Sequence, residues 1–279
     1  MSTTIKTILV YADRSGACGP FLIKAAAFAA GHDAHLVVLV VGLEPTSAYG
    51  GLPEIPFSSY FAEVTAVHEE VHRTSSWADE NLSATGVSFD VRGIVVPHGT
   101  EGRAVARHAR YADLTLVPRL GTDGSWHRIV DAALFESGHP VLLCPPKAAL
   151  DPLGERVLIG WDARPEAARA VSDALGLISG ASDIRAVTVS SRTGAHAHGE
   201  DPGTDLVAFL ARHGLPVRVD AIPRDNRSVA DAILRHAHSM GADLIVSGAY
   251  GHSRLSEIII GGATRDLMRV TDRPLFMAH

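Results

Sequence analysis

Lysine is scarce in this chain. Only Lys6, Lys24 and Lys147 are present among 25 lysine and arginine residues. None follows a GxxxxG run, so a Walker-type phosphate loop is excluded. Any phosphate site must use backbone amides, hydroxyls or arginine. Cysteine is scarcer still. Cys18 and Cys144 are far apart and lack CxxC spacing, which excludes a disulfide framework and a thiolate metal site. Aromatics are 6% of residues. No apolar run reaches membrane-spanning length, because charges or turn residues interrupt each one. The start, MSTTIKTILVYADRSG, lacks the basic, apolar, small-residue order of a signal peptide, so a cytoplasmic protein without membrane contact is expected. A net charge of −6 argues against nucleic acid as a partner.

What remains is an ordinary globular composition, 46% hydrophobic and 20% charged over 279 residues. That length suggests two domains. The halves repeat each other. KTILVYADRSG and ERVLIGWDARPE each carry a short apolar run with an aspartate just past it, Asp13 and Asp162. Alanine-rich helical stretches follow, Phe21–Ala30 and Glu166–Ile178, then the strand-like runs HLVVLVVG and IRAVTVSS. ARHARYADLTLVPRLG (Ala106–Gly121) matches HAHSMGADLIVSGAYG (His236–Gly251) at constant offset. Both halves close with a strand after proline. The expected organisation is a domain over 1–147, a Pro/Gly linker over 148–155 and a second domain over 156–279. Apolar strands alternating with helical segments predict α/β architecture. Each domain should be a doubly wound parallel sheet of five strands, order 3-2-1-4-5, with helices on both faces.

The halves differ most near the end of the fourth strand. The second has Gly248 and Gly251, a nine-residue spacer, then Gly261 and Gly262 before a helix begun by Ala263, Thr264 and Arg265. Glycine lets backbone approach a ligand, and a helix N-terminus offers free N–H groups to an anion. The first half has Pro118 in place of Gly248 and no second glycine pair. In a doubly wound sheet ligands bind where the strand order reverses, between the first and fourth strands. That topology would bring Asp162 beside the glycine span. An ionised aspartate is a pure acceptor, suited to ribose hydroxyls or a base amino group.

This pattern resembles the universal stress protein family, in its tandem two-domain form, over nearly the whole chain. The family's signature is Gly-x-x-Gly, nine residues, then Gly and Ser/Thr. Gly248, Gly251 and Gly261 match it. Gly262 departs from it, and Thr264 is the nearest hydroxyl. The resemblance implies an adenine nucleotide alpha hydrolase-like fold and one nucleotide site, in the second domain. It implies ATP, or AMP or ADP, with Mg as an optional companion. The roles carried over fall on Asp162 and Val189 for adenosine. For phosphate they fall on Gly248, Gly251, Gly261, Gly262, Ala263 and Thr264. His252, Ser253 and Arg254 lie within or beside the spacer and are added as candidate phosphate contacts. In the first domain only Asp13 and Val40 correspond.

No catalytic residue and no metal site is assigned. The pairs His196/His198 and His236/His238 lack accompanying ligands at metal spacing. No G-x-S-x-G elbow is present. Trp161 beside Asp162 suits either base stacking or packing on the sheet. Three functions fit: a stress-response regulator that binds ATP with little or no hydrolysis and acts on an unidentified protein partner; a scaffold without nucleotide; or an enzyme acting on a small adenylated ligand. The last strands, Pro140–Cys144 and Pro274–Ala278, are expected to pair across the domains as an intramolecular pseudo-dimer, the resemblance implying this too. Further association into a homodimer is compatible with it.

Overall fold

The computed structural model describes residues 4–13, 18–45, 57–119, 125–190, 202–224, 227–249 and 262–279. Its contacts divide the chain into two units between Val141 and Leu142.

The first unit contains strands β1 (Thr7–Asp13), β2 (His35–Leu43), β3 (Phe89–Val96) and β4 (Leu114–Pro118); β5 (Val141–Cys144) follows at the boundary, its Leu142–Cys144 grouped with the second unit. Helices α1 (Gly19–Gly31), α2 (Phe57–Ser83), α3 (Glu101–Ala109) and α4 (Ser125–Ser137) connect them. The strand order is β3-β2-β1-β4-β5. β1 pairs in parallel with β2 on one side and β4 on the other. α1 packs on α2, and α3 on α4, so both faces are covered. Strands buried on both faces explain the unbroken apolar runs: Leu36 to Val41 are all buried.

The second unit repeats this. β6 (Arg156–Gly160), β7 (Asp183–Ser190), β8 (Val217–Pro223), β9 (Leu244–Gly248) and β10 (Leu275–Ala278) alternate with α5 (Pro165–Ala174), α6 (Pro202–Arg212), α7 (Val229–Met240) and α8 (Gly262–Val270). The order β10-β9-β6-β7-β8 is the same 5-4-1-2-3 arrangement, with parallel pairing. The expected architecture is therefore present in both units. α5 stops at Ala174 and gives way to turns, four residues before the expected Ile178.

One repeated dipeptide has a mechanical reason. In Ala112-Asp113 and Ala242-Asp243 the aspartate ties the fourth strand of its unit to the first. Asp113 Oδ2 accepts from the amides of Lys6 and Thr7, both at 2.8 Å. Asp243 accepts from three successive amides: Gly154 (2.6 Å), Glu155 (3.1 Å) and Arg156 (2.8 Å). The return bonds run from Asp113 N to Thr7 O and from Asp243 N to Arg156 O. These clasps sit at the amino edge of each sheet, the end away from the strand termini where ligands bind.

α3 and α4 meet closely. A side chain at Gly102 would come within 2.7 Å of the Arg128 carbonyl. Here Glu101, only 3% exposed, receives a 2.7 Å bond from Arg128 Nε. Burial pushes its carboxyl upward, but backbone N–H groups at the helix start and the Arg128 guanidinium outweigh that and hold it below the ordinary 4.5. A folded value below the unfolded one gives stability that is present above the unfolded value and lost as acid protonates the folded carboxylate. Arg128→Ala should therefore be less stable than the wild type above about pH 5. The gap should close as the pH falls below the usual carboxylate range. Urea denaturation at several pH values reads this; a gap of constant size would show that Arg128 acts by packing alone.

Candidate functional site

The site lies at the carboxyl ends of β6 and β9, where the strand order of the second unit reverses. β6 pairs with β9 through Gly160↔Ser247. One step further along, Trp161 no longer pairs with β9, while Gly248 still pairs with Ala278 of β10. Trp161 stays attached to the other neighbour, its amide donating to Val187 O at 2.9 Å. The chain then turns sharply: Ala163 has φ 59, a left-handed conformation that is uncommon for a residue with a side chain. This turn presents Asp162. Its Oδ1 accepts from the Arg164 amide at 3.1 Å, and Arg164 Nε lies 3.7 Å from Oδ2. The Asp162 side chain is 58% exposed, so its carboxylate keeps acceptor capacity toward solvent.

Arg164 is the N-cap of α5 and Pro165 opens the helix, which suits proline because the first amides have no partner within the helix. The next two residues meet β9. A side chain at Gly248 would lie 2.5 Å from Ala167 N and 2.7 Å from Glu166 C. Gly248 is thus glycine because the end of β9 touches the first turn of α5. Sequence reasoning placed Gly248 in a ligand loop and did not see this contact, whose partners are about eighty residues away. Glu166 Oε2, in that same turn, is shielded from solvent and has no hydrogen-bond partner among the described residues.

Val189 is half-buried near the carboxyl end of β7, paired with Ile222. Gly262 begins α8 and is exposed, as is Ala263; Thr264 is half-buried in the helix's first turn. A side chain at Gly262 would meet only Asp266 Oδ2 at 3.9 Å, ordinary contact, so space does not force glycine there. Gly251, His252, Ser253, Arg254 and Gly261 lie outside the described residues, as do His196 and His198.

Two residues not singled out from sequence border the site. Arg164 could have been suspected from its place before Pro165. His279 could not: its Nδ1 lies 2.9 Å from Ala249 O, one residue past β9. His236 and His238 diverge, to Asp220 at 3.0 Å and Asp272 at 2.9 Å. Among the described residues no group of three or more histidine, cysteine or acidic side chains is placed to hold a metal ion. Nor is any helix among them long and apolar enough to cross a membrane.

The corresponding corner of the first unit is built differently. Asp13 ends β1, and Cys18 Sγ lies 3.8 Å from its carbonyl. Burial, with help from the Asp13 charge, pushes the Cys18 thiol up to about 12, so it is not a nucleophile at neutral pH. A side chain at Gly19 would strike the Trp77 indole at 2.9 Å. The indole of α2 thus closes over the start of α1.

A family model described as "Universal stress protein family" matches residues 154–279. No curated protein matches the sequence significantly. Among solved structures, a universal stress protein from Archaeoglobus fulgidus is 16% identical, with 98% of this chain and 95% of that chain covered and a TM-score of 0.69. A putative universal stress protein from Pseudomonas aeruginosa is 17% identical, covering 98% and 93%, with a TM-score of 0.59. A functionally unknown protein from Pseudomonas aeruginosa is 16% identical, covering 98% and 92%, at 0.58. At these identities the likenesses establish the fold, and they do so over both units. Residues 154–279 thus match the universal stress protein family, and the unit that precedes them in the chain has the same fold.

Proposed function

We propose that this chain is a stress-response regulator whose second unit binds an adenine nucleotide: ATP, with AMP or ADP as alternatives. The observation that supports it best is the meeting of Asp162 and the β9 exit at the strand-order reversal, with the N-terminus of α5 packed against Gly248. Asp162 and Val189 would hold the adenosine. The glycine span from Gly248 to Thr264, with His252, Ser253 and Arg254, would hold the phosphates, Mg accompanying them. Phosphate at the start of α8 would be favoured by the positive end of the helix dipole. The sequence of the glycine span supplies no evident general base, so hydrolysis would be slow or absent.

The working division is a domain over 1–147, a linker over 148–155 and a domain over 156–279, in a cytoplasmic protein. The first domain would serve as architecture and as a surface for a protein partner. Pairing of its last strand with that of the second domain, as a pseudo-dimer, would cover two sheet edges. A homodimer would extend that arrangement. A scaffold without nucleotide is the second reading. It is favoured by Pro118 and the missing glycine pair in the first unit, and by Gly262 in place of a hydroxyl residue.

Isothermal titration of nucleotide-free protein with ATP and magnesium decides between them. The nucleotide reading expects saturable binding, weakened about tenfold in Asp162→Ala by the loss of a charged acceptor. No binding at millimolar ATP, AMP or ADP would leave the scaffold reading standing.

A further inference from the structure

His108 lies in the last turn of α3, four residues before the Ala112 of its clasp. At constant offset it corresponds to His238, in the last turn of α7 and four residues before Ala242. The carbonyls at a helix end favour a protonated ring at both places. The side chains that face the two rings have opposite charge. At His238 the Asp272 carboxylate lies 2.9 Å from Nε2, so a proton there completes an ion pair. At His108 the neighbour is a cation: Arg92 Nη1, from β3, lies 3.4 Å from Nδ1. A guanidinium only donates, so the ring must accept through Nδ1 and carry its proton on Nε2. The imidazolium donates from both nitrogens and cannot make this contact.

Arg92 is itself fixed by Asp90, whose Oδ2 accepts from Nη2 at 2.7 Å, and His35 Nε2 of β2 stands 3.4 Å from Asp90 Oδ1. The helix packed beside α3 sends its charges elsewhere. Arg128 of α4 bonds to Glu101 at the other end of α3, and Glu136 gives its backbone oxygen to Arg110. β1 has only Tyr11 and Asp13 to titrate, Asp13 at the opposite edge of the sheet. Burial, then the charges of Arg92 and Arg107, hold the His108 ring below the ordinary 6.5. The unfolded chain therefore takes up the proton first. Stability present at neutral pH is lost as the pH falls through 6.5 toward the folded value.

We propose that His108 is a proton-operated release in the first unit: below neutral pH its protonation displaces Arg92 and loosens the last turn of α3 from β3, while the matching turn of α7 stays closed. The inference holds whether or not the second unit binds nucleotide.

Hydrogen exchange of the full chain, resolved by peptide and corrected for the intrinsic pH dependence of amide exchange, tests it at about pH 7.5 and about pH 5.5, either side of the ordinary imidazole value. Three chains are compared. His108→Gln keeps an oxygen that can accept from Arg92 but does not titrate, and Arg92→Gln removes the cation. In the wild type, protection of α3 should fall about twofold to fivefold on acidification, the worth of a like-charge pair at a partly exposed site. His108→Gln should lose little, Arg92→Gln less than the wild type, and α7 of the wild type should keep its protection. Equal losses in wild type and His108→Gln would overturn the inference, as would a loss in α7 as large as that in α3. An Arg92→Gln chain that loses as much as the wild type would reject it independently, since the guanidinium would then not be what the proton acts against.

Discussion

Gly248→Ala is expected to cost the second unit about 3 kcal/mol, and Gly251→Val to cost it little while abolishing nucleotide binding. The two glycines lie three residues apart in one signature, yet physics separates them. At Gly248 an added methyl would stand 2.5 Å from Ala167 N, 2.7 Å from Glu166 C and 3.0 Å from Ala167 Cα. All three are backbone atoms at the start of a helix, and none can rotate away. Either β9 or α5 must move, and both are core elements: Leu244, Ile245 and Val246 are fully buried, and Ala170 and Ala174 with them. Overpacking of this kind costs about 1–3 kcal/mol, occasionally more. On the nucleotide reading Gly251 belongs to the phosphate span, where a branched side chain would hold phosphate away from the backbone. Thermal unfolding without ligand and ATP titration, run on both variants, separate stability from affinity. A Gly248→Ala chain as stable as wild type would show that α5 and β9 do not press on each other as described. A Gly251→Val chain that binds ATP normally would remove that glycine from the site.

That contrast also marks what could be read from the sequence. The architecture was legible because parallel strands covered on both faces must be apolar at nearly every position, as in His35–Leu43 and Leu244–Gly248. The repeat was legible because both units solve the same packing problem with similar residues. The meeting of Asp162 with the β9 exit followed from topology alone. Less legible were contacts whose partner is backbone. Gly248 looks like a loop glycine until Ala167 is placed against it. Asp113 and Asp243 look like surface aspartates until the amides of distant strands are placed beside them. His279 shows no pattern at all, because a single imidazole on a carbonyl requires no spacing. The end of α5 was overrun because Gly176, where helical order has already ceased, follows a stretch whose alanine and leucine content still favours helix.

The aspartate clasps carry the second large expectation. Asp243→Ala should destabilise the second unit by about 2–3 kcal/mol, and Asp113→Ala the first by about 1–2 kcal/mol. The order follows from the count of amides left without an acceptor: three for Asp243, at Gly154, Glu155 and Arg156, against two for Asp113, at Lys6 and Thr7. The totals stay below the sum of separate charged hydrogen bonds because Glu155 and Arg156 are exposed, and water can replace part of what is lost. The Gly154 amide is the costly one. Gly154 is buried with φ 83, and its α-carbon faces the Leu177 carbonyl so closely that a side chain would lie 2.7 Å from that oxygen. Its amide cannot turn to solvent without moving this turn. Asp243→Asn, which keeps one acceptor oxygen, should fall between alanine and wild type. Because the clasp joins β9 to β6 at their amino ends, nucleotide affinity of the folded variant should match the wild type, in contrast to changes at Asp162. Urea denaturation of the four chains, with ATP titration of each below its transition, distinguishes the two ends of the sheet. Asp113→Ala costing more than Asp243→Ala would mean that the number of orphaned amides does not govern the loss.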